Sequence, residues 1–155
     1  MPATLNLTTE AEVVDFPATH YVYLQRVGNI PANAPQVWQT IQKLMPALMA
    51  RNQITGAAAL YKPTKGIYRA GFILSAPPAN LPAELTYEKL KGGKYARFTV
   101  TGPFDQLPEA NTRAFAIIAE RKIALRDDFN IENYLTDPST TPADQNITAI
   151  LFPIA

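Results

Sequence analysis

The apolar positions of this sequence change their spacing in a defined order along the chain. Residues 21–27 are rich in aromatic and β-branched side chains and stop at Gly28, which predicts a strand followed by a turn. Residues 35–50 predict a helix, because apolar side chains recur there every three or four positions. These side chains are Val37, Ile41, Leu44 and Leu48.

Two further strands are predicted after this helix. Residues 55–61 and 67–74 are again apolar and β-prone, and residues 62–66 between them contain the proline and glycine that are typical of a hairpin turn. The first half of the chain therefore predicts a β-α-β-β unit.

The same order of patterns returns after a proline-rich stretch at residues 76–82, which predicts a connector. Residues 95–101 predict a strand, residues 107–126 a helix, and residues 129–135 and 147–152 two strands. The apolar helix positions are Ala110, Ala114, Phe115 and Ile118. The second half therefore predicts another β-α-β-β unit.

One constant offset in numbering superimposes the two halves: the offset that places Gly28 on Gly102 also places Tyr21 on Tyr95. We call it the repeat offset. We therefore predict an α+β fold formed by tandem duplication of a β-α-β-β unit. The predicted sheet is antiparallel, with helices on one side and a ligand groove at the pseudo-twofold junction. At 155 residues the chain predicts one domain over residues 1–155, with repeats at about 11–76 and 85–155.

Composition narrows the function classes. The formal net charge is +1, from 14 basic and 13 acidic side chains, so the chain lacks the basic excess of a nucleic-acid reader and we expect no direct nucleic-acid binding. No apolar run is long enough to span a membrane, and the first residues do not resemble a signal peptide. The absence of cysteine fits a reducing compartment, so we expect a cytoplasmic protein.

Few residues can serve as metal ligands or nucleophiles. His20 is the single histidine and lies in a strand-like stretch, where a structural or solvated role is the simplest interpretation. Asp127, Asp128 and Asp137 lie in turn-like sequence, which favours aspartate for its own hydrogen bonding. We therefore expect no metal site and no cofactor.

The strand predicted at residues 129–135 places Glu132 and Tyr134 on one face, because side chains alternate along a strand. We expect the apolar alternate Ile131 to face the helix and the other two residues to project from the helix-free face, together with Tyr95. A carboxylate beside tyrosines is suited to a flat or cationic organic molecule.

Simpler interpretations of these residues remain open at this point. Glu132 on an open sheet face could be solvated or could form an ion pair with Arg97. Tyrosines are ordinary strand formers, and Trp38 could belong to the core or to a groove wall.

A series of short motifs between residues 92 and 154 adds a family resemblance. The motifs are Gly92-Gly93-Lys94-Tyr95, Gly102-Pro103-Phe104, Phe129-x-x-Glu132-x-Tyr134-Leu135-x-Asp137-Pro138 and Ile147-Thr148-x-Ile150-x-x-Pro153-Ile154. This series resembles the GyrI-like small-molecule-binding domain, which is the bacterial effector-binding domain of AraC-type and MerR-type multidrug regulators. That family has a tandem β-α-β-β duplication of the SHS2 type.

The resemblance implies lipophilic, often cationic ligands that are held by aromatic side chains and a carboxylate. It implies Glu132 as the carboxylate, which would also be the catalytic residue of an enzyme. Position 58 is alanine, so the first repeat offers no second carboxylate. The aromatic ligand-binding residues that we expect are Tyr134, Trp38, Tyr68, Phe72 and Tyr95.

Three functions are compatible with this resemblance. Because both repeats fill the 155 residues, no space is left for a helix-turn-helix module, and we expect a stand-alone domain that binds lipophilic, cationic small molecules for sensing, sequestration or detoxification. The first alternative is a hydrolase that uses Glu132 against cyclopropane-containing or related electrophilic toxins. The second is a protein partner of the DNA gyrase-inhibitor type.

Overall fold

The structure, a computed structural model, describes residues 5–8, 10–137 and 140–155, with only the backbone described at positions 30 and 31. Its strands and α-helices are, in chain order, β1 (Asn6–Leu7), β2 (Glu12–Phe16), β3 (Thr19–Val27), α1 (Ile30–Met49), β4 (Ile54–Lys62), β5 (Ile67–Leu74), β6 (Thr86–Leu90), β7 (Gly93–Thr101), α2 (Leu107–Glu120), β8 (Asn130–Tyr134) and β9 (Ile147–Pro153). A short 3₁₀ turn, Phe104–Gln106, leads into α2.

The chain forms two compact units. The middle unit is Pro17–Gly93, and the C-terminal unit combines Lys94–Ala155 with the chain up to Phe16. The prediction of a single domain with repeats at 11–76 and 85–155 stays a prediction.

In the middle unit the strand order is β4-β5-β3-β6, and the pairs are antiparallel. Helix α1 packs on β3 and β5 and buries Val37, Ile41 and Leu48 almost completely. These are three of the four apolar positions from which the helix was predicted.

In the C-terminal unit the strand order is β8-β9-β7-β1, again antiparallel, and β2 also pairs with β7. The buried cluster under α2 joins residues from the helix, from β7 and β9, and from the chain directly after β9. Its members are Ala96, Phe98, Val100, Leu107, Ala110, Ala114, Ile118, Ile150, Phe152 and Ile154.

The predicted α+β duplication is confirmed. Both units contain the order β-α-β-β with the same strand neighbours, and the repeat offset places β3 on β7 along their whole length. The second hairpin departs from this match, because the connection from β8 to β9 is much longer than the connection from β4 to β5. Pro138, which belongs to the family motif, lies outside the described residues.

Several predicted boundaries were wrong. Helix α1 begins at Ile30 rather than at residue 35, because the side chain of Asn29 accepts a hydrogen bond from the Ala32 amide and caps the helix at that point. Helix α2 ends at Glu120 rather than at residue 126, and Lys122 has a left-handed φ of 54°. Phe115, predicted as part of the apolar stripe, is 53% exposed.

Gly71 in β5 is required by the close approach of two strands. A Cβ atom at this position would overlap the carbonyl oxygen of Val22 and lie 2.7 Å from the Cα of Tyr23. Both atoms belong to the backbone of β3, so no side-chain rearrangement could relieve the overlap.

Neither helix in the described part of the chain combines the length and the apolarity that a membrane crossing requires.

Candidate functional site

The pairing of β8 fixes the face on which Glu132 lies. Glu132 is opposite Ile150 in β9, and Ile150 is opposite Phe98 in β7. Ile150 and Phe98 belong to the cluster under α2, so Glu132 and Tyr134 point to the helix side. The prediction that they share one face is confirmed, and the prediction that this face is free of helix was wrong.

The reason for this error is that apolar residues are buried on both sides of the sheet at β8. Ile131, which was expected to face the helix, is opposite Leu151 on the other side of the sheet, and both are 2% exposed. Burial of an apolar residue therefore does not identify the helix side of this strand.

Two neutral donors hold the carboxylate of Glu132. The hydroxyl of Tyr134 donates to Oε1 at 2.8 Å, and Nδ2 of Asn111 in α2 donates to Oε2 at 2.7 Å. The same Nδ2 also donates to the carbonyl oxygen of Leu107 at 2.9 Å. We call Glu132, Tyr134 and Asn111 the carboxylate cluster.

The environment of Glu132 favours its neutral form. Burial raises the pKa of Glu132, and the hydrogen bonds from Tyr134 and Asn111 lower it by less, so the pKa stays above its ordinary value of 4.5. In the part of the chain that the structure describes, no basic side chain lies within ion-pair distance of this carboxylate. The interpretation of Glu132 as a partner of Arg97 was wrong, because Arg97 pairs with Glu12 at 2.8 Å.

An aromatic side chain extends the carboxylate cluster. The ring of Phe104 meets the ring of Tyr134 edge-to-face, with centroids 5.5 Å apart. Phe104 is 37% exposed, whereas Tyr134 is partly buried against the core under α2. The cluster thus has a partly buried polar end and an aromatic end that reaches solvent.

Asn111 was not among the predicted site residues. The available signal is its place in α2, four positions after Leu107 and one after Ala110, both of which are buried. A polar amide beside a core stripe needs hydrogen-bond partners, and here Glu132 and the carbonyl oxygen of Leu107 are among them.

The middle unit has apolar residues at the positions that correspond to Glu132 and Asn111 in the C-terminal unit. In the middle unit, Leu24 is opposite Ala70, and Ala70 is opposite Ala59. In the C-terminal unit, Phe98 is opposite Ile150, and Ile150 is opposite Glu132 in the same way. Ala59 is therefore the counterpart of Glu132, rather than the alanine at position 58. The repeat offset also sets the buried Val37 against Asn111.

Tyr95 lies apart from Glu132. It is opposite Pro153 and shares the sheet face of Arg97, away from α2, as predicted. Its ring packs edge-to-face on Phe16 at 5.8 Å, and the guanidinium of Arg126 lies 5.1 Å from the ring centroid. Burial raises the pKa of the Tyr95 hydroxyl, the charge of Asp128 raises it further, and Arg126 lowers it.

The other three predicted residues belong to the middle unit. Nε1 of Trp38 in α1 donates to the hydroxyl of Tyr68 at 2.8 Å, which joins two of them directly. Phe72 shares the sheet face of Tyr68 in β5, and both are 5% exposed, whereas Trp38 is partly buried. A role for these residues in ligand binding stays a prediction.

The described residues contain no group of three histidine or acidic side chains that could hold a metal ion. The carboxylate cluster itself offers a protonatable carboxyl group with two neutral hydrogen-bond donors.

Several solved structures have this fold, and one of them contains a bound small molecule. The C-terminal domain of EcmrR has a TM-score of 0.74 and 13% identity, with 99% of each chain covered. SAV2435 bound to tetraphenylphosphonium has a TM-score of 0.70 and 14% identity, with 94% of each chain covered. A hydrolase from Listeria innocua has a TM-score of 0.59 and 9% identity, with 96% of this chain and 93% of that chain covered.

These likenesses establish the fold alone, because the identities are low. The present chain covers 57% of the EcmrR chain that was solved in the EcmrR–DNA complex. No curated protein sequence matched this chain. The model of the GyrI-like small molecule binding domain matches residues 9–155. The chain therefore belongs to the GyrI-like small-molecule-binding domain family.

Proposed function

We propose that this protein binds lipophilic organic cations and that Glu132 is their anionic partner. The observation on which this proposal rests is a partly buried carboxylate held by two neutral donors, with no basic partner among the described residues. A bound cation would supply the opposite charge that the fold itself does not provide.

The physical basis is the cost of a charge in a poorly solvated place. A carboxylate that has lost part of its hydration is stabilised by an opposite charge more strongly than an exposed one. An organic cation is weakly hydrated, so it loses little when it enters such a site. Because the pKa of Glu132 is raised, cation binding would displace a proton from the fraction of molecules in which Glu132 is neutral.

The comparisons support the ligand class. The family is described as small-molecule-binding, and SAV2435, which has the same fold, was solved with tetraphenylphosphonium bound. We extend this lipophilic cation to the present chain as part of the proposal.

The test measures the binding of tetraphenylphosphonium to the parent and to Glu132→Gln by titration calorimetry. Glutamine keeps the shape of glutamate but removes the charge, so we expect a loss of about 1–3 kcal/mol, or about 5- to 150-fold in Kd. Neutral triphenylphosphine oxide should bind both proteins alike. Glu120→Gln, at the exposed end of α2, is the matched control and should bind tetraphenylphosphonium like the parent.

Equal tetraphenylphosphonium affinity of the parent and Glu132→Gln would contradict the proposal. A loss of the same size for the neutral ligand would also contradict it, because charge pairing would then not be the cause.

Hydrolysis is the second candidate function. A carboxyl group with a raised pKa can act as a general acid or base near neutral pH, and one protein with this fold is called a hydrolase. The proposed substrates are cyclopropane-containing or related electrophilic toxins. For an enzyme, Glu132→Gln should bind substrate like the parent and lower kcat by about 10² or more.

We further propose a cytoplasmic location, for which the chain without cysteine is the supporting observation.

A further inference from the structure

Strands β2 and β6 each contain five residues and each pair with one neighbour. In the part of the chain that the structure describes, β2 pairs only with β7 and β6 only with β3. A strand with one neighbour presents a row of backbone N–H and C=O groups on its other side, and this row is a template for a further strand. The two strands differ in how well their side chains oppose such pairing.

The side chains of β2 are largely exposed. Glu12, Val13 and Asp15 are exposed, and Val13 reaches 65% although it is an apolar residue within a strand. Val14 and Phe16 are partly buried. Exposed β-branched residues on an edge strand favour the addition of a further strand.

The contacts of β2 define its two faces. Glu12 forms an ion pair with Arg97, whose side chain lies on the sheet face away from α2. Because side chains alternate along a strand, the even-numbered positions of β2 share this face and the odd-numbered positions lie on the other. The charge of Glu12 is therefore balanced within the chain, and Asp15 is the second acid of β2.

Symmetry restricts how two copies of β2 can pair. An antiparallel pair has its twofold axis perpendicular to the sheet, which keeps every side chain on its own face, so opposite residues must both be even-numbered or both odd-numbered. The register that pairs all five residues centres on Val14, which is then opposite Val14 of the second copy. Glu12 is opposite Phe16. Val13 is opposite Asp15, so no like charges are directly opposite each other.

The same operation disfavours β6. Its full-length register centres on Glu88, which would be opposite Glu88 of the second copy, and like charges directly opposite destabilise a strand pair. Lys89 adds a further exposed charge, which is a common protection of edge strands. Charge therefore protects β6 against self-pairing, whereas β2 lacks this protection.

We propose that β2 pairs antiparallel with β2 of a second copy of this chain, in the register centred on Val14. This homodimer continues the sheet of the C-terminal unit across the twofold axis. Five paired residues form a much smaller contact than a permanent interface, so we expect a reversible dimer whose population depends on concentration. The inference goes beyond ligand binding, because no residue of β2 belongs to the carboxylate cluster.

A charge at position 13 tests the register. Val13→Lys places a cation opposite Asp15 of the second copy, Val13→Asp places a second acid there, and each pair occurs twice in the dimer. We expect Val13→Lys to lower the dimer Kd by about 2- to 30-fold and Val13→Asp to raise it by about the same factor. Analytical ultracentrifugation between about 10 µM and about 1 mM measures the Kd.

The matched controls are Thr86→Lys and Thr86→Asp, which alter an exposed position of β6. Both should dimerise like the parent, and thermal unfolding verifies that every variant is folded. Opposite effects of lysine and aspartate at position 13 support the register centred on Val14.

Three results would overturn the inference. The first is a parent that stays monomeric up to about 1 mM, which is also the result expected if this edge takes a strand of another protein. The second is weaker dimerisation of both Val13 variants, because a register centred on Val13 or a general disruption of β2 would then be the cause. The third is a Kd that neither Val13 variant changes.

Disulfide formation gives a second test, because the chain contains no cysteine. In the proposed register the two copies of residue 14 have Cα atoms about 4.5–5.5 Å apart, which is within disulfide range. The two copies of residue 13 lie on a diagonal of about 7–8 Å. We therefore expect Val14→Cys to form a linked dimer faster than Val13→Cys under mild oxidation.

Random collision predicts the reverse order of linking, because position 13 is exposed and position 14 is partly buried. Faster linking of Val13→Cys than of Val14→Cys would therefore overturn the inference.

Discussion

The amide of Asn111 and the carboxylate of Glu132 form a hydrogen bond of 2.7 Å between a helix and a strand. Asn111 is the only member of the carboxylate cluster that comes from α2, so this bond joins the polar site to the helix that covers the core of its unit. The contribution of this hydrogen bond to stability can be measured, because the middle unit has apolar residues at the two corresponding positions.

We expect the two residues to be strongly coupled in stability. Asn111→Val removes one donor from a partly buried carboxylate and should lower the free energy of unfolding by about 1–3 kcal/mol. Glu132→Leu should leave the amide of Asn111 with one partner fewer. The double variant resembles the middle unit, with its Val37 and Ala59, and should regain most of the lost stability.

Urea denaturation of the parent, both single variants and the double variant at neutral pH measures this coupling. Arg113→Val, at an exposed position of α2, shows how much of the effect comes from valine in a helix. Purely additive effects of the two substitutions would contradict the expected coupling.

Stability should also depend on pH through Glu132. Below its ordinary pKa of 4.5 the folded and unfolded states both bind the proton. Between that value and the raised pKa, only the folded state keeps it, so the free energy of unfolding falls as pH rises through this window. Above the raised pKa the loss is complete, and the carboxylate makes the folded protein less stable than a neutral side chain would.

Glu132→Gln lacks this titration, so its stability relative to the parent should increase as pH rises through the window. Urea denaturation between about pH 4 and about pH 8 measures the difference, with Glu120→Gln as the control. If the free energies of unfolding of Glu132→Gln and the parent differ by a constant amount across this range, the pKa of Glu132 is not raised in the folded state.

The close approach at Gly71 gives a prediction for the middle unit. Gly71→Ala should lower the free energy of unfolding by more than about 3 kcal/mol or prevent folding, because the added Cβ would overlap the backbone of β3. Gly56→Ala in β4 is the matched control, since its Cβ would meet only the Ile73 side chain at 3.5 Å. Thermal unfolding of the two variants tests this, and equal unfolding midpoints would refute the steric explanation.

The duplicated fold could be predicted from sequence because its long strands and helices have clear spacing. The aromatic and β-branched run of β3 has its counterpart in β7, and one offset aligns the two strands. The edge strand β6 was missed, because its sequence Thr86-Tyr87-Glu88-Lys89-Leu90 is short and polar and lacks the apolar run used to identify the others. Edge strands are stabilised by pairing that a local pattern does not report.

The candidate site could be predicted only in part. Alternation along β8 correctly placed Glu132 and Tyr134 together, but it could not tell which face the helix covers. That choice depends on the pairing of Glu132 with Ile150, which is a contact between distant parts of the sequence. Asn111 was missed for the same reason, since its partner lies on another element, well separated along the chain.

The correspondence between Ala59 and Glu132 has a consequence for the evolution of the duplicated unit. When a β-α-β-β unit is duplicated, one copy can acquire a costly polar residue while the other keeps its apolar packing. A carboxylate at both positions would impose the desolvation cost twice in each chain. With Ala59 and Val37 in the middle unit, this chain bears that cost once, and substitutions that alter ligand chemistry can accumulate in one copy without weakening the core of the other.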